Sequence, residues 1–505
     1  KINQLHTLVN TSDTTNLIDS LTTLFVNNLP KKQFKPKPKK CKSTKRTEKW
    51  YDKSLHDLRK ILQRKAHYIS TNPYDKPARL SYYCMLKRYR KLRKAKHKEY
   101  NNSLSKKLQT LQYENPRQYW RILSELCNEN NETNTSMKIS PGEWYDYLYN
   151  LKNDNKISSI ETEIKNKLKL LECDNIFNEL DFQITNKELK SAFKSLKNNK
   201  SAGLDGISNE MFKTIDENTI NLITKIFNKI LLTGDYPQNW NKGYVTTIYK
   251  AKSPYDPDNY RCLTINSQFG KLFNRLLNNR LCDFLTKHNI IDKCQIGFQK
   301  EKRTEDHIYT LQTLVNKYTK LYKKKIYSCF IDLRKAFDKV WHLGLFYKLK
   351  ITGVGSKFYN IIKQMYINSE ICIKFENRIS DFIKQKIGVK QGDNLSSSLF
   401  NIYLNDITKE FNDTCTPVAI GNSKIFCLLY ADDMVLLSET PFGLQQSLDV
   451  VHDYCDKWKL EINHSKSKIM IFEPKKQQCN YNFRIGTETL ERVYQYKYLG
   501  VMIEY

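Results

Sequence analysis

Apolar and polar positions follow a simple pattern in the C-terminal third of the chain. Two apolar runs, 425–430 and 434–437, flank Ala431, Asp432 and Asp433. A polar break between two strand-length runs predicts a β-hairpin with both carboxylates at its tip. Like charges held side by side repel, and a divalent cation such as Mg²⁺ is their natural partner. The alternative is a solvated turn, because Asp is a common turn residue.

A second strand is predicted over residues 326–331, an apolar run that ends at Asp332. A carboxylate at the end of a buried strand is costly unless it is paired or bound to a metal, although alone it could cap the next helix. If the two strands are neighbours in one sheet, Asp332 meets Asp432 and Asp433. Three convergent carboxylates can hold two Mg²⁺ ions and support in-line displacement at phosphorus.

Residues 50–127 show helical spacing of apolar positions, with Lys and Arg on the opposite face. The pattern predicts one helix through Tyr82 and Leu92 and a further helix that contains Leu104 and Leu111. A basic, tyrosine-bearing helix could lie along a phosphate backbone, and a solvated face on a packed helix is the alternative. A membrane-surface helix fits less well, because the apolar face is short and rich in Tyr.

Other local patterns predict single elements. Thr185 and Glu188 have the spacing of a capping box at a helix start. The remaining predictions are a strand over 245–249, a helix over 269–281, a helix from about Leu395 to Leu404, a helix that ends near Trp458, and a turn plus strand over 460–472.

Composition adds a partner class. The 505 residues include 84 Lys and Arg against 53 Asp and Glu, a net charge of +31, which predicts a polyanionic partner, nucleic acid before an anionic membrane. The 13 cysteines show no zinc-ligand or paired spacing, which argues against a zinc site or a disulfide framework and favours a reducing compartment. No apolar run spans a bilayer and no signal peptide is evident, so we expect a protein of the nucleus and cytoplasm with no membrane partner.

Composition also suggests region boundaries. Residues 1–49 are predicted to be a disordered basic arm, because Pro separates the lysines of 31–40. The arm could bind nucleic acid, act as a nuclear-import signal, or be a plain linker. Residues 50–127 form the basic helical region, 128–180 a polar linker with helices, and 181–505 the main domain.

Six segments of the main domain, taken in order, resemble the reverse transcriptases of non-LTR (LINE-type) retrotransposons. They are Ser201-Ala202-Gly203-Leu204-Asp205-Gly206, Asn259-Tyr260-Arg261, the stretch from Phe330 through Asp332-Leu333-Arg334-Lys335-Ala336-Phe337-Asp338 to Val340, Gly388-Val389-Lys390-Gln391-Gly392-Asp393, Tyr430-Ala431-Asp432-Asp433, and Tyr498-Leu499-Gly500. The basic helices that precede them also resemble the segment joining endonuclease and polymerase in this family.

The resemblance implies an α+β right-hand polymerase fold and RNA-directed DNA synthesis. Its fingers would span about 181–325, its palm, with an antiparallel sheet, about 326–475, and its primer grip or first part of the thumb about 476–505. The partners implied are an RNA template, a DNA primer or target, and dNTPs.

The resemblance also implies roles for single residues. Asp332, Asp432 and Asp433 would bind two Mg²⁺ ions, with help from the Leu333 carbonyl. Phe337 would contact the nucleotide and exclude a 2′-hydroxyl, and Gln391 and Gly392 would also contact the nucleotide. Lys250 and Arg261 would contact the triphosphate or the template, and Lys466 would protonate the leaving pyrophosphate. The primer end would be positioned by Tyr498, Leu499 and Gly500. Phe337 could instead be only core, Lys466 only a solvated charge and Gly500 only a turn.

Some features depart from the family pattern. Leu204, Asn394 and Ser398 stand where the family usually has Pro, although Asn394 could cap the following helix. The sequence ends just past the primer-grip segment and begins with the basic arm, so we expect a truncated or absent thumb and no endonuclease before the arm. The alternative function is therefore a catalytically silent, RNA-binding remnant of such an element.

Overall fold

A computed structural model describes residues 5, 7–9, 13–28, 50–127, 139–153, 159–172, 179–250, 252–375, 378–474 and 481–504. The chain forms two compact units, one of Lys1–Lys31 with Thr135–Tyr505 and one of Lys32–Asn134. The lysine- and proline-rich part of the predicted arm, 31–40, and most of the predicted polar spacer, 128–138, lie outside the described residues.

Helices and strands are numbered here in chain order. The helices are α1 Thr14–Asn28, α2 Lys53–Thr71, α3 Lys76–Glu114, α4 Pro116–Cys127, α5 Pro141–Lys152, α6 Ser159–Glu172, α7 Asn186–Ser195, α8 Glu217–Thr233, α9 Gln238–Asn241, α10 Gln268–Lys287, α11 Thr304–Asn316, α12 Ala336–Lys339, α13 His342–Ile351, α14 Ser356–Ile367, α15 Asn394–Leu404, α16 Ile407–Glu410 and α17 Pro441–Lys457. The strands are β1 Lys242–Tyr249, β2 Tyr260–Asn266, β3 Ile326–Asp332, β4 Glu370–Phe375, β5 Arg378–Ile379, β6 Ile383–Lys384, β7 Val418–Ile420, β8 Ser423–Ile425, β9 Cys427–Tyr430, β10 Asp433–Ser438, β11 Lys468–Phe472, β12 Arg484–Ile485, β13 Glu488–Thr489, β14 Glu491–Arg492, β15 Gln495–Tyr498 and β16 Val501–Glu504.

The larger unit is an α+β fold with two five-stranded sheets. The first sheet has the order β14-β11-β3-β10-β9, so β3 lies at its centre. Its pairs are antiparallel except that β14 pairs with β11 in parallel, so the prediction of an antiparallel sheet holds for four of its strands. The apolar alternation of β3 and β10 supplies two core faces, because side chains along a strand point to opposite sides.

The second sheet contains the predicted strand at 245–249, which extends from Lys242 as β1. Strand β1 pairs antiparallel with β2 and parallel with β4, and β5 and β6 both pair with β4. Helix α5 packs on this sheet through Trp144 and Leu148, both buried. The predicted linker helices therefore belong to the same compact unit as the sheets.

Three two-stranded hairpins, β7–β8, β12–β13 and β15–β16, complete the described part of this unit. Strands β15 and β16 pair as a hairpin, and Tyr498 packs in the core cluster that covers one face of the first sheet. The capping box of Thr185 and Glu188 is present at the start of α7. Asn394 does not cap α15 as expected, because the carboxylate of Asp393 accepts the Leu395 N–H.

The predicted disordered arm is wrong for part of its length. Residues Thr14–Asn28 form a helix, and Leu17, Leu21 and Phe25 are buried in the main core. Their spacing is that of one helix face, and this signal is easily overlooked beside the lysine- and proline-rich run that follows.

The smaller unit is built on two antiparallel helices. Residues at the start of α2 meet the middle of α3, with the Tyr51 and Tyr89 hydroxyls 3.3 Å apart and Lys96 Nζ 3.3 Å from Asp52. Helix α3 runs unbroken for 39 residues, so the predicted division before Leu104 is absent. Residues 93–103 contain neither Gly nor Pro, the two residues that would end a helix there. Helix α3 buries none of its residues.

The described part of the chain contains no helix that is both apolar enough and long enough to cross a membrane. The nine cysteines whose state the structure describes are all free thiols.

Candidate active site

The ends of three neighbouring strands bring the carboxylates together. Strand β3 ends at Asp332 and strand β10 begins at Asp433, and these two residues are directly opposite each other in the antiparallel pair. Asp433 is also opposite Tyr430 of β9, so the predicted hairpin is present with Asp432 in its turn. Opposed Cα atoms in such a ladder lie about 4.5–5.5 Å apart. The predicted pairing of the two strands is therefore found, with Asp332 directly opposite Asp433 and Asp432 next in sequence.

The turn that carries Asp432 has an unusual backbone. Ala431 adopts a left-handed conformation, with φ of 58°, which is unfavourable for a residue with a side chain. Gln295 stabilises it, because the Ala431 N–H donates to Gln295 Oε1 at 2.9 Å and Gln295 Nε2 donates to the Ala431 carbonyl at 3.3 Å. Gln295 is 1% exposed. Both polar groups of the strained residue are thus held by one buried side chain.

The segment around Gln295 lies beside β9. The Ile296 N–H donates to the Leu429 carbonyl, and the Leu429 N–H donates to the Cys294 carbonyl, each at 2.9 Å. Gly297 is required here, because a Cβ at this position would lie 2.3 Å from the Ala431 nitrogen. Pattern analysis missed this segment, since a lone Gln beside Ile and Gly has no charge and no periodicity.

Asp332 is held by the loop that precedes β11. Its Oδ2 accepts hydrogen bonds from Asn463 Nδ2 at 2.9 Å and Lys466 Nζ at 3.2 Å, and its N–H donates to Ser467 Oγ at 3.2 Å. Lys466 was predicted to belong to the site and lies there. Its side chain is 61% exposed and contacts a single oxygen of Asp332, so it approaches the acids from solvent. Asn463 and Ser467 were not predicted.

Burial and mutual repulsion raise the pKa values of two of the three acids, Asp432 and Asp433. Burial raises the pKa of Asp432, and the negative charge of Asp332 raises it further against the opposing effects of Arg261 and Lys466. The pKa of Asp433 is raised to about 6, first by burial and then by the charges of Asp432 and Asp332. Positive charge placed among these acids would relieve the repulsion.

The donor set fits divalent cations. All three side chains offer carboxylate oxygens, the donors that hard ions such as Mg²⁺ prefer. Among the described residues no three acidic, histidine or cysteine side chains gather about one point as they stand. One oxygen of Asp332 accepts hydrogen bonds from both Asn463 and Lys466 in this arrangement.

A cleft of about 780 Å³ opens beside the acids. Eight of the predicted site residues line it: Lys250, Arg261, Asp332, Leu333, Phe337, Gln391, Asp432 and Lys466. The predicted residues that do not line it are Asp433, Gly392, Tyr498, Leu499 and Gly500. Most of the residues predicted to contact nucleotide are thus brought to one cavity.

Positive charge lines one wall of the cleft. Lys250 and Arg261 flank the loop that connects β1 to β2, and the Lys250 N–H donates to the Asn259 carbonyl at 2.9 Å. Partial burial lowers the pKa of Lys250, and the nearby charges of Arg261 and Lys466 lower it further. Within the described residues neither Lys250 nor Arg261 forms an ion pair. A polyphosphate is the kind of ligand that such a wall would bind.

Phe337 and Gln391 also line the cleft. The Phe337 ring stacks on Phe400 with centroids 4.7 Å apart and an angle of 13°. The Gln391 carbonyl accepts the Thr264 N–H at 3.0 Å, which fixes the predicted nucleotide-binding loop to β2. Gly392 has φ of 104°, so only glycine is relaxed there.

Helix α5 lies against the cleft and contacts the segment that follows Asp332. Lys152 Nζ and Asp338 Oδ1 form a nearly buried ion pair at 2.5 Å. Lys335 bonds the hydroxyl of Tyr147 at 2.7 Å and pairs with Asp258. These contacts join a region predicted only as a linker to the segment that follows Asp332.

The predicted primer-grip residues do not line the cleft, and Tyr498 packs against the first sheet, which carries Asp332 and Asp433. Tyr496 stacks on Phe330 of β3 at 4.4 Å, and Tyr498 lies 5.5 Å from the same ring. Burial, and then the charge of Asp433, raises the pKa of Tyr498. Leu499 and Gly500 both have positive φ and form the turn of the hairpin.

Comparison with known proteins gives a consistent result. A family described as "Reverse transcriptase (RNA-dependent DNA polymerase)" matches residues 248–503. The chain is 29% identical over 330 residues to an RNA-directed DNA polymerase from mobile element jockey of Drosophila funebris, covering 64% of this chain and 35% of that protein. It is 28% identical over 330 residues, or 63% of this chain and 35% of the relative, to a probable RNA-directed DNA polymerase from transposon BS of Drosophila melanogaster.

A third relative belongs to a different element. It is a retrovirus-related Pol polyprotein from type-1 retrotransposable element R2 of Nasonia vitripennis, 29% identical over 311 residues, which cover 60% of this chain and 29% of the relative. The chain thus spans about a third of the length of these curated relatives.

Proposed function

The chain belongs to the reverse transcriptase family, and on that premise we propose that it is the RNA-directed DNA polymerase of a non-LTR retrotransposon. It would transfer nucleotides from dNTPs to the 3′-hydroxyl of a DNA primer on an RNA template. The observation that carries this proposal is Asp433 directly opposite Asp332, with Asp432 beside them at a cleft lined by cations.

The two sheets support a division into palm and fingers. The sheet that carries the acids would be the palm, and the β1–β2 hairpin with Lys250 and Arg261 would belong to the fingers. The hairpin of β15 and β16 would position the primer end through Tyr498, Leu499 and Gly500.

Members of this family use divalent metal ions. Asp332, Asp432 and Asp433 would hold such ions, with the Leu333 carbonyl as a further donor, and bound ions supply charge stabilisation for displacement at phosphorus. That the ions are two Mg²⁺ is part of the proposal.

Other side chains of the cleft would bind the substrate and handle the proton of the leaving group. Lys250 and Arg261 would bind the triphosphate, and Lys466 would hold a proton at Nζ for the leaving pyrophosphate. Phe337 would block a 2′-hydroxyl, while Gln391 and Gly392 would contact the nucleotide. The Phe337 ring is suited to this role because its stack on Phe400 limits its movement.

The smaller unit would bind nucleic acid. Helix α3 exposes cations along its length and buries none of its residues, so its exposed cations could meet a phosphate backbone. The location in the nucleus and cytoplasm stays a prediction.

The alternative of a silent, RNA-binding remnant is not favoured. The three relatives named above are RNA-directed DNA polymerases or a Pol polyprotein by name, and all three acids are present in this chain.

The proposal is tested by primer extension. The chain is given a labelled DNA primer annealed to an RNA template, with dNTPs and Mg²⁺, and extension is followed on a sequencing gel. We expect extension by the unmodified chain and a loss of about a thousandfold or more in Asp432→Asn, because a carboxylate at the reacting centre is removed. Affinity for the template–primer, measured separately, should change less than twofold.

The matched control is Glu461→Gln, which neutralises another acid of the same cleft. This variant should extend primers at close to the parent rate. Absence of extension by the unmodified chain with either Mg²⁺ or Mn²⁺, despite tight template–primer binding, would refute the proposed function and restore the alternative.

A further inference from the structure

Lys390 is buried without an ion-pair partner. Its side chain is 1% exposed, and within the described residues it forms no ion pair. Its ammonium donates a long hydrogen bond to the Asn241 carbonyl, at 3.5 Å. An ammonium that is taken out of water without a paired carboxylate costs folding free energy. Burial accordingly lowers the pKa of Lys390 to about 8, against the opposing effect of the charge of Asp393.

The residue that Lys390 contacts is also short of hydrogen bonds. Asn241 ends helix α9 and is 1% exposed. Among the described residues, neither polar atom of its side chain has a hydrogen-bond partner. A buried amide without partners lowers stability as well. The contact between Lys390 and the end of α9 therefore exists at a net cost to the fold.

The backbone on both sides of Lys390 is attached to residues of the nucleotide cleft. The Val389 N–H donates to the Phe337 carbonyl at 2.8 Å, and the Gln391 carbonyl accepts the Thr264 N–H at 3.0 Å. Phe337 and Gln391 line the cleft, whereas Lys390 does not. Lys390 thus lies between two attachment points of the nucleotide-contacting loop, with its ammonium at Asn241 instead of in the cleft.

The main chain of Lys390 begins a tight turn. Its carbonyl accepts the Asp393 N–H at 3.1 Å and the Ser396 hydroxyl at 2.7 Å, which ties the turn to helix α15. Gly392, with φ of 104°, lies inside this turn. Without the ammonium, the turn would stay attached to α15 and β2 but would lose its hydrogen bond to α9.

A second buried lysine differs in its partners. Lys348 is also 1% exposed, but its Nζ bonds Asp406 Oδ1 at 2.6 Å, the Tyr403 carbonyl and the Tyr454 hydroxyl. Three oxygen atoms, one of them charged, compensate for the burial of this ammonium. Lys390 has no such compensation, so a contribution to stability does not account for it.

We propose that Lys390 is a positioning residue for the incoming dNTP, because its ammonium fixes the Gln391–Gly392 turn to α9. This inference rests on the proposed function and deepens it, since it adds a residue outside the cleft that sets where a nucleotide-contacting turn lies. An apolar side chain of the same length could fill the space, but it could not bond the Asn241 carbonyl.

The test uses Lys390→Met in the full chain, which keeps the length of the side chain and removes its charge. Replacement of an unpaired buried charge by an apolar group should leave the midpoint of thermal unfolding unchanged or raise it. The Kd of the next dNTP should nevertheless rise about fivefold or more, because a small displacement of a substrate-positioning group is costly. A purely structural role predicts a lower midpoint or an unchanged dNTP affinity.

Nucleotide affinity is measured without chemistry. The chain is bound to a dideoxy-terminated DNA primer on an RNA template with Mg²⁺ and titrated with the next dNTP, and the fraction of complex that resists a heparin challenge is followed on a native gel. Affinity for the template–primer without dNTP, measured by anisotropy, should stay within about twofold of the parent, and in extension assays the KM for dNTP should rise more than kcat falls.

Lys348→Met is the matched control. It removes the other buried ammonium and leaves Asp406 without this partner, so the midpoint of unfolding should fall by about 3 °C or more while the Kd for dNTP stays within about twofold of the parent. Lys390→Gln is neutral and shorter, and it should bind dNTP as weakly as Lys390→Met. It decides the matter if the methionine variant does not fold, and failure of both to fold would assign Lys390 to the fold and overturn the inference.

The outcomes separate this inference from the proposed function. Parent-like dNTP affinity in Lys390→Met, or an equal loss of dNTP affinity in Lys348→Met, overturns the positioning role. A parent chain that traps the dNTP but never extends an ordinary primer would refute the polymerase while leaving this role in place. A parent chain that traps no dNTP would refute both.

Discussion

At the residue scale, the site depends on side chains whose chemistry is set by their neighbours. Asp433 is an ordinary aspartate in the sequence, yet burial and the charges of Asp432 and Asp332 raise its pKa to about 6. Phe337 is an ordinary aromatic in the sequence, yet it forms a wall of the cleft because Phe400 lies parallel beneath it.

Phe337→Val should relax sugar discrimination. The smaller side chain leaves room for a 2′-hydroxyl, so the ratio of kcat/KM for a ribonucleotide to that for the matching deoxynucleotide should rise about tenfold or more. Single-nucleotide incorporation with each substrate measures the ratio. An unchanged ratio with normal folding would show that Phe337 is only a core residue.

The residues that sequence analysis missed are neutral and act over long separations. Gln295 meets Ala431 across 136 positions, and Asn463 meets Asp332 across 131. An amide side chain has no charge or period to mark it, and its role exists only once the chain has folded. The three acids were found because a carboxylate at the end of an apolar strand is anomalous even in one dimension.

At the scale of elements, the carboxylate turn is held by a third strand-like segment rather than by its own hairpin alone. Cys294 and Ile296 extend the hydrogen bonding beyond β9, and Gln295 fixes the left-handed Ala431. The hairpin itself was predicted from its apolar runs, but this support required knowledge of the tertiary fold.

Gln295→Leu tests this support. Loss of both hydrogen bonds to Ala431 should lower the free energy of unfolding by about 1–3 kcal/mol. The rate of primer extension should fall about tenfold or more, because small displacements of catalytic groups are costly. Affinity for template–primer should stay close to that of the parent.

The matched control is Gln385→Leu, which removes another buried glutamine, one that accepts a hydrogen bond from Ser369 at 2.6 Å. It should lose similar stability while extending primers at nearly the parent rate. Equal loss of extension in both variants would reduce the role of Gln295 to general stability.

The sequence predicts the ends of helices and strands correctly where adjacent residues determine them. It misses a helix whose stability depends on distant residues. The capping box at Thr185 and the strand that ends at Asp332 depend on adjacent residues, and both are present. The helix Thr14–Asn28 was missed because its stability comes from burial of Leu17 and Phe25 in a core built from distant segments.

At the scale of the whole molecule, the net charge of +31 calls for a polyanionic partner. Helix α3 carries much of the positive charge of the smaller unit on exposed side chains, so nucleic acid can neutralise it without any rearrangement of a core.

Neutralising Lys87, Arg88, Lys91 and Lys94 together as glutamines should lower the salt dependence of RNA binding. We expect the slope of log Kd against log salt to fall by about 0.7–0.9 for each phosphate left without a cation, with the KM for dNTP unchanged. Filter binding over a range of salt concentrations measures this slope. A slope equal to that of the parent would favour the solvated-face interpretation of this helix.

The proposed polymerase depends on Asp332, Asp432 and Asp433, which together would hold its divalent ions. Binding of Mn²⁺ to the full chain, in complex with a dideoxy-terminated template–primer and the next dNTP, tests it most directly by electron paramagnetic resonance. We expect bound Mn²⁺ in the parent and in Glu461→Gln, and Mn²⁺ affinity weaker by about tenfold or more in Asp332→Asn and Asp432→Asn. Equal Mn²⁺ affinity in all four proteins would contradict it.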